Sequence, residues 1–197
     1  MTASTYITLD EVKAALNIPS DDSSEDSALS GILASAARAV DAYCDRFFGQ
    51  TATETSRMYQ PYGRVVITDD LVSISAVEYD PSEDGDTWTA ISTSDVALGP
   101  ANAATMSPAR PYTSVRAKSG ASWPSEYGWV RITGVWGWPA VPQQIKDATL
   151  KQAVRLYVSK DVPLGVIGGA DTMSFRLPGG LHPDARLLCD PFVRVAI

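Results

Sequence analysis

Residues 127–160, YGWVRITGVWGWPAVPQQIKDATLKQAVRLYVSK, contain a strand pattern, a break and a helix pattern in direct succession. The strand pattern mixes apolar and polar residues around the β-branched Val130 and Ile132, which predicts at least one buried face. From Pro142 to Lys160 apolar residues recur at three- and four-residue steps, which predicts a helix with proline in its first turn. A structural corner is predicted between these two elements, at Trp136, Gly137, Trp138 and Pro139.

A second apolar stripe at helical spacing lies upstream and predicts a helix from about Ser27 to Phe48. We expect it to pack on the helix that begins at Pro142, because each has only one long apolar face. A capping box at Thr8 and Glu11 predicts a short helix before it. The predicted core residues are Leu29, Ile32, Leu33, Ala36, Val40, Tyr43, Phe47, Ile145, Ala148, Ala153 and Leu156.

The region between the two long helices is rich in β-branched residues and turn signals, and it predicts five or six strands. The segment Thr113 to Lys118 is expected to pair with the strand at 129–135. The predicted fold class is α+β, with a helical bundle core of two long helices plus short N- and C-terminal helices, and with an inserted β-rich region. Four parts are expected: 1–52, the N-terminal helical part of the core; 53–135, the inserted β-rich region; 136–165, the core helix; and 166–197, a C-terminal arm.

Residues with catalytic or metal-binding chemistry are few. The single histidine, His182, stands where a short helix is predicted to begin, which favours a capping role over catalysis. Acidic residues between Ser20 and Asp26 lack the spacing of a calcium loop. We therefore predict no catalytic, metal or cofactor-binding residues, no cofactor and no enzymatic activity. Cys44 and Cys189 are predicted to be free thiols, with Cys44 buried on the apolar face of its helix.

Charge is unevenly distributed along the chain. The net charge is −7, but residues 1–98 hold 17 acidic and 5 basic residues, and residues 99–197 hold 6 and 11. Such asymmetry indicates a partner surface, a self-assembly with complementary ends, or ordinary solvated faces. No apolar run approaches the length of a membrane span, and residues 1–13 lack the pattern of a signal peptide.

Two groups of residues are candidates for contacts with partners. Residues 123–138 contain a cluster of aromatic side chains, which favours a core or subunit interface over an exposed sugar-binding platform. The end of the chain is apolar, and we expect it to lack internal partners and to dock on another surface. The structural or interface candidates are Trp136, Gly137, Trp138 and Pro139 at the corner, and Phe192, Val193, Arg194, Val195 and Ile197 at the end of the chain.

Three segments resemble the head-to-tail connector, or adaptor, proteins of tailed bacteriophages. They are ITLDEVKAALNI (7–18), SALSGILASAARAVDAYCDRFF (27–48) and VRITGVWGWPAVPQQIKDATLKQAVRLYVSKDVPLGV (130–166). The third is the most specific, because its turn from Gly134 to Pro142 is similar to a Gly-x-x-Gly-Trp-Pro-x-x-Pro-like turn of adaptors from phages of actinobacteria.

This resemblance implies a structural protein of the virion neck, made in the cytoplasm of a bacterial host. It implies a ring, typically dodecameric, between the portal protein and a stopper or tail-terminator protein. Genomic DNA would pass through the ring without sequence-specific binding, and no membrane would be involved. Two alternatives stay open: another neck component, such as a stopper or tail-completion protein, or a carbohydrate-binding surface module that uses the tryptophans.

Overall fold

The computed structural model divides the chain into two compact units. The helical unit comprises Met1–Arg46 and Val141–Ile197, and the sheet unit comprises Phe47–Ala140. The structure describes residues 5–118, 123, 128–160, 166–167, 175–176 and 180–194.

The helical unit contains four α-helices and a short two-stranded ladder among its described residues. The helices are α1 (Leu9–Leu16), α2 (Asp26–Cys44), α3 (Gln143–Ser159) and α4 (Pro183–Cys189), and the ladder pairs β7 (Val166–Ile167) with β8 (Phe175–Arg176).

Helix α1 begins and ends with the signals that its sequence carries. The Thr8 Oγ1 accepts from the Glu11 N–H, and the Glu11 carboxylate accepts from the Thr8 N–H at 2.6 Å, so the predicted capping box is confirmed. Asn17 adopts a left-handed conformation with φ of 57° and ends the helix. The amphipathic pattern places Val12 in the core and fully buried.

Helices α2 and α3 pack against each other, as predicted. Helix α2 ends at Cys44, earlier than predicted, because Asp45 takes a left-handed conformation with φ of 50°. The half-buried members of the predicted core are Ile32, Tyr43, Phe47 and Leu156. The fully buried members are Leu29, Leu33, Ala36, Val40, Ile145, Ala148 and Ala153.

The sheet unit is built on six antiparallel strands in the order β1-β6-β2-β5-β4, with β3 paired to β2. Its core is formed by alternate residues of the strands, including Val66, Tyr79, Val115, Ile132 and Trp136. The strands are β1 (Thr55–Tyr59), β2 (Val65–Asp80), β3 (Thr89–Ile91), β4 (Val96–Gly99), β5 (Tyr112–Ala117) and β6 (Trp129–Trp136).

One predicted strand pairing is wrong. Strand β5 does not pair with β6: it pairs with β2, through Val66 and Val115, and with β4. Strand β6 lies instead between β1 and β2, with Thr55 opposite Gly134 and Val77 opposite Ile132. The strands β5 and β6, although consecutive in sequence, are therefore not neighbours in this sheet.

The predicted fold class is also wrong. Four helices and a six-stranded antiparallel sheet are present among the described residues, in place of a helical bundle core of two long helices with an insertion. The sheet has its own fully buried side chains, so it forms a core instead of decorating one. The physical reason is that β2 and β6 carry enough alternating apolar residues to bury one face of the sheet independently. The four-part division of the chain stays a prediction.

Residues 180–194 show that part of the expected C-terminal arm is ordered against the helical unit. Helix α4 packs on α3, and His182 caps it by accepting the Asp184 N–H at Nδ1. A 3-10 turn follows at Asp190–Phe192. Phe192 is buried, so the expectation that this end lacks an internal partner is wrong for that residue. Most of the rest of the arm lies outside the described residues.

Candidate assembly site

The end of strand β6 is fixed by Trp136. Its backbone N–H donates to the Thr51 Oγ1 at 3.1 Å, and its carbonyl oxygen accepts from the Thr51 N–H at 2.9 Å. The indole Nε1 donates to the Thr55 carbonyl oxygen at 2.7 Å. The Arg57 guanidinium lies over the indole ring at 4.5 Å from its centroid, a cation–π contact. The backbone and the side chain of this one residue thus join the end of β6 to β1 and to the segment before it.

Gly137 occupies a backbone position that other residues would strain. Its φ is +114°, and a Cβ built there would lie 1.8 Å from the Gly49 carbonyl oxygen. Its N–H donates to the Asp70 carbonyl oxygen at 2.8 Å. The prediction that Gly137 needs a glycine conformation is confirmed, and the reason is close approach of two backbones as well as φ.

Trp138 lies in the interior of the sheet unit. Its Nε1 donates to the buried Asp70 Oδ2 at 2.9 Å, and its ring packs on Phe48 with centroids 5.1 Å apart. Pro139 is half-buried, and its carbonyl oxygen accepts from the Gln50 Nε2 at 2.8 Å. The corner residues are therefore held by partners within their own unit, and a role for them between subunits stays a prediction.

The candidate residues at the end of the chain are placed differently from one another. Phe192 is 5% exposed and Val193 is 37% exposed. The Arg194 N–H donates to the Cys44 carbonyl oxygen at 2.9 Å, which ties this end to the last residue of α2. Val195 and Ile197 lie outside the described residues, and the docking role of all five end residues stays a prediction.

The tryptophans do not form an exposed platform in the part of the chain that the structure describes. Trp123, Trp136 and Trp138 are buried, and Trp129 is half-buried. A sugar-binding platform needs exposed aromatic faces. This arrangement favours the core interpretation over the carbohydrate-binding alternative.

An apolar groove opens on the helical unit, with a volume of about 580 Å³. One face of α3 supplies Leu150, Val154 and the half-exposed Val158 at four-residue steps, so helical periodicity produces the apolar floor. Ala15 and Pro183 border it. The sequence did not reveal this groove, because Leu150, Val154 and Val158 lie outside the predicted core of this helix.

A buried cation organises the acidic loop between α1 and α2. The Lys13 side chain is only 3% exposed, and its Nζ lies 2.5 Å from the Asp26 Oδ1. The same Nζ donates to the Asp22 carbonyl oxygen at 2.7 Å. Two acidic residues of this loop, Asp22 and Asp26, therefore contact a lysine. Sequence reasoning missed Lys13, because one lysine beside an apolar position carries no distinctive signal.

Ion pairs join the acidic first half of the chain to the basic second half. The Lys160 Nζ donates to Glu25 at 2.9 Å, and this hydrogen bond lowers the Glu25 pKa and raises the Lys160 pKa. The Arg131 Nε donates to the Glu78 Oε2 at 2.7 Å, with the same effect on that pair of pKa values. Part of the charge asymmetry is thus neutralised within one subunit.

Metal and membrane sites receive no support from the described residues. No group of three or more His, Cys, Asp or Glu residues there could hold a metal ion. Among the same residues, the structure contains no helix with the length and apolar character needed to cross a bilayer. The described part of the chain offers a set of structural contacts, an apolar groove and exposed apolar side chains.

Comparison with known proteins finds a family match over part of the chain. Residues 6–75, which span α1, α2, β1 and part of β2, match the family model described as "Phage gp6-like head-tail connector protein". The resemblance to phage head-tail connectors is confirmed, and so is the predicted placement of the protein at the neck of a virion. The assignment to phages of actinobacteria stays a prediction.

The fold as a whole is similar to that of a solved neck protein. A chain of the structure described as "Neck of empty GTA particle computed with C6 symmetry" superposes with a TM-score of 0.62 at 18% sequence identity. The match covers 98% of this chain and 92% of that one, so both units are included. No protein in the curated set matches the chain.

Proposed function

We propose that the protein is a head-to-tail adaptor, which forms a ring between the portal and a stopper or tail-terminator protein and extends the channel for DNA. The observation that carries the proposal is the match of residues 6–75 to the connector family model. The full-length likeness in fold to a neck protein supports it. The proposed partners are accordingly other copies of this chain, the portal, the stopper or tail-terminator protein, and the DNA that passes through the channel.

Exposed apolar side chains on both units support a role in assembly. On the helical unit, Leu187 is 72% exposed and Val158 is 50% exposed beside the groove. On the sheet unit, Tyr62 is 87% exposed and Met58 is 59% exposed. A ring subunit needs two different surfaces for its two neighbours, and large apolar side chains are the usual anchors of such surfaces.

The charge of the two units fits a channel that DNA crosses without binding. The sequence ranges of the helical unit hold 13 acidic and 10 basic residues, and those of the sheet unit hold 10 and 6. Both units are therefore net acidic. Because DNA carries a dense negative charge, an acidic wall would repel it weakly instead of retaining it.

No enzymatic activity is proposed. The family is described as a connector, and the single histidine accepts the Asp184 backbone N–H at the start of α4, which is a capping role. The protein would act by shape and contact alone.

A phage that lacks this protein tests the proposal. We expect heads that are filled with DNA or leaking, together with free tails, and no joined particles. Complementation with the wild-type chain should restore complete particles. Joined particles that fail only to adsorb to the host would contradict the adaptor role and support the carbohydrate-binding alternative.

A further inference from the structure

The two cysteines of the chain lie side by side at the ends of two helices. Cys44 is the last residue of α2, and Cys189 is the last residue of α4. Both are fully buried and neither forms a disulfide. The Cys44 Sγ lies 3.9 Å from the Cys189 carbonyl oxygen, and the Cys44 thiol also hydrogen-bonds the Cys189 side chain.

Contacts on either side hold these helix ends together without help from the thiols. The Tyr43 hydroxyl donates to the Asp190 Oδ1 at 2.6 Å. The Arg194 N–H donates to the Cys44 carbonyl oxygen at 2.9 Å. These contacts, with the Cys44 Sγ beside the Cys189 carbonyl oxygen, hold the two helix ends next to each other, and a disulfide requires such proximity of its two cysteines.

We propose that Cys44 and Cys189 form a redox-sensitive crosslink, reduced in the cytoplasm and closed to a disulfide after the particle reaches an oxidising medium. The biological setting rests on the proposed function, whereas the chemistry is a property of the isolated chain. A small-molecule disulfide, such as oxidised glutathione, is the oxidant. The two cysteines together lose two electrons and two protons, and the oxidised glutathione is reduced to two glutathione thiols.

The hydrogen bond between the thiols orders the two exchange steps. It raises the pKa of Cys44, with burial adding to the effect, and it lowers the pKa of Cys189. The Cys189 thiolate therefore attacks first and releases one glutathione thiol. Cys44 then displaces the second glutathione from Cys189, and the intramolecular bond closes.

Burial and position in the chain determine the rate and the effect of this crosslink. Because both thiols are fully buried, the oxidant reaches them only when the end of α4 opens locally, so closure is slow. The cysteines are 145 positions apart, so the disulfide closes a long loop and restricts the unfolded chain. Closure then keeps the end of α4 against α2.

The test uses the purified, reduced full-length chain in native buffer with oxidised glutathione. We expect both thiols to disappear slowly, with the loss of two hydrogen atoms by intact mass and no link between chains. The midpoint of thermal unfolding should rise by roughly 5–15 °C and fall back after reduction. Persistence of both thiols, while the urea-unfolded chain oxidises readily, would overturn the proposal. So would a product that melts below the reduced protein.

Single serine variants test the order of the steps. Cys44→Ser should accumulate a glutathione adduct on Cys189, because no second thiol is present to resolve it. Cys189→Ser should remain unmodified for much longer. Equal rates of adduct formation in the two variants would contradict the order, and the wild-type mass measurement stays decisive if either variant folds poorly. Failure of the crosslink would leave the adaptor role untouched, because the deletion phage tests that role separately.

Discussion

Gly137 is the residue on which the geometry of the corner depends most directly. Gly137→Ala should lower the free energy of unfolding by roughly 2–4 kcal/mol, because the new Cβ meets the Gly49 carbonyl oxygen and because φ is +114°. Urea unfolding followed by tryptophan fluorescence would measure the change.

The matched control is Gly31→Ala in α2, where a new Cβ meets nothing within 4 Å. That variant should gain up to about 1 kcal/mol, since alanine favours the helix. Equal effects of the two substitutions would show that the corner tolerates a side chain.

Lys13 offers a second prediction at the scale of single residues. Lys13→Met should destabilise the protein by roughly 1–3 kcal/mol, because it removes the cation that Asp26 and the Asp22 carbonyl oxygen share. Lys151→Met is the control: its pair with Asp184 is 3.5 Å long and both side chains are about half exposed, so a change under about 0.5 kcal/mol is expected. A loss for Lys13→Met as small as that of the control would mean that the acidic loop does not depend on the lysine.

Sequence reasoning reached Gly137 but not Lys13 or Asp70, for a physical reason. A glycine between two tryptophans and before a proline signals a strained turn locally. The partners of Asp70 and Lys13, in contrast, become neighbours only in the folded chain. Trp138, which donates to Asp70, is 68 positions away in the sequence. Asp22, whose carbonyl oxygen accepts from Lys13, lies in an irregular loop. Buried polar residues read as surface residues until their partners are known.

The packing of α2 is the first test at the scale of elements. Leu33 is 3% exposed in the core that α2 shares with α1 and α3. Leu33→Ala should cost roughly 2–5 kcal/mol in the free energy of unfolding, because it leaves a cavity in that core. Leu187→Ala on α4 is the control, since the side chain is 72% exposed and its truncation should change stability little. A loss under about 0.5 kcal/mol for Leu33→Ala would place the buried face of α2 elsewhere.

The connection between β2 and β3 should respond to acid through Asp80. Burial opposes ionisation of this carboxylate, but hydrogen bonds from the Ser82 hydroxyl and N–H and from the Gly85 N–H outweigh burial and hold the Asp80 pKa below its ordinary value. A lowered pKa means that the stabilisation is present above the unfolded value, about 4, and is lost as the pH falls through the folded value. The free energy of unfolding between pH 7 and pH 3 should therefore fall less steeply for Asp80→Asn than for the wild type. Asp86→Asn removes the same charge from an exposed position in the same connection. This control variant should keep the wild-type dependence of the free energy of unfolding on pH.

The helices were more predictable than the strands, because their signals are local. The capping box at Thr8, the apolar stripe of α2 and the cap at His182 are each contained within a few residues. The polar residues Asp69 and Asp70 lie in the middle of β2, where two adjacent aspartates are a signal for a turn instead of a continuous strand. In the fold Asp69 pairs with Arg57 at 2.7 Å, and Asp70 accepts from a tryptophan, so the strand continues through them.

At the scale of the whole molecule, the sequence predicted a helical core and missed an independent sheet. Strand β6 is inserted between β1 and β2, and β5 is on the other side of β2. A prediction that pairs consecutive strands as hairpins cannot detect such an order, because the order depends on contacts between residues far apart in the chain. The charge asymmetry along the sequence is also smaller in the folded chain. Two ion pairs join the acidic half to the basic half: Lys160 with Glu25, and Arg131 with Glu78. Complementary charge therefore offers less to a subunit interface than the linear sequence indicated.

Ring formation is the prediction that concerns the molecule as an assembly. The resemblance to adaptors implies a dodecamer, and this number of copies stays a prediction. In a ring each subunit contacts its neighbours through two different surfaces, so closure fixes the number of copies. We expect the purified chain, when mixed with its portal, to form a complex with one dodecamer of this chain for each portal. Native mass spectrometry of the complex would measure this number. The chain alone should stay mostly monomeric, because we expect the portal to act as the template for the ring. The control is a portal from an unrelated phage, which should not recruit the chain. A complex that contains only scattered single copies would contradict the ring, even if the chain proved essential for joining heads to tails.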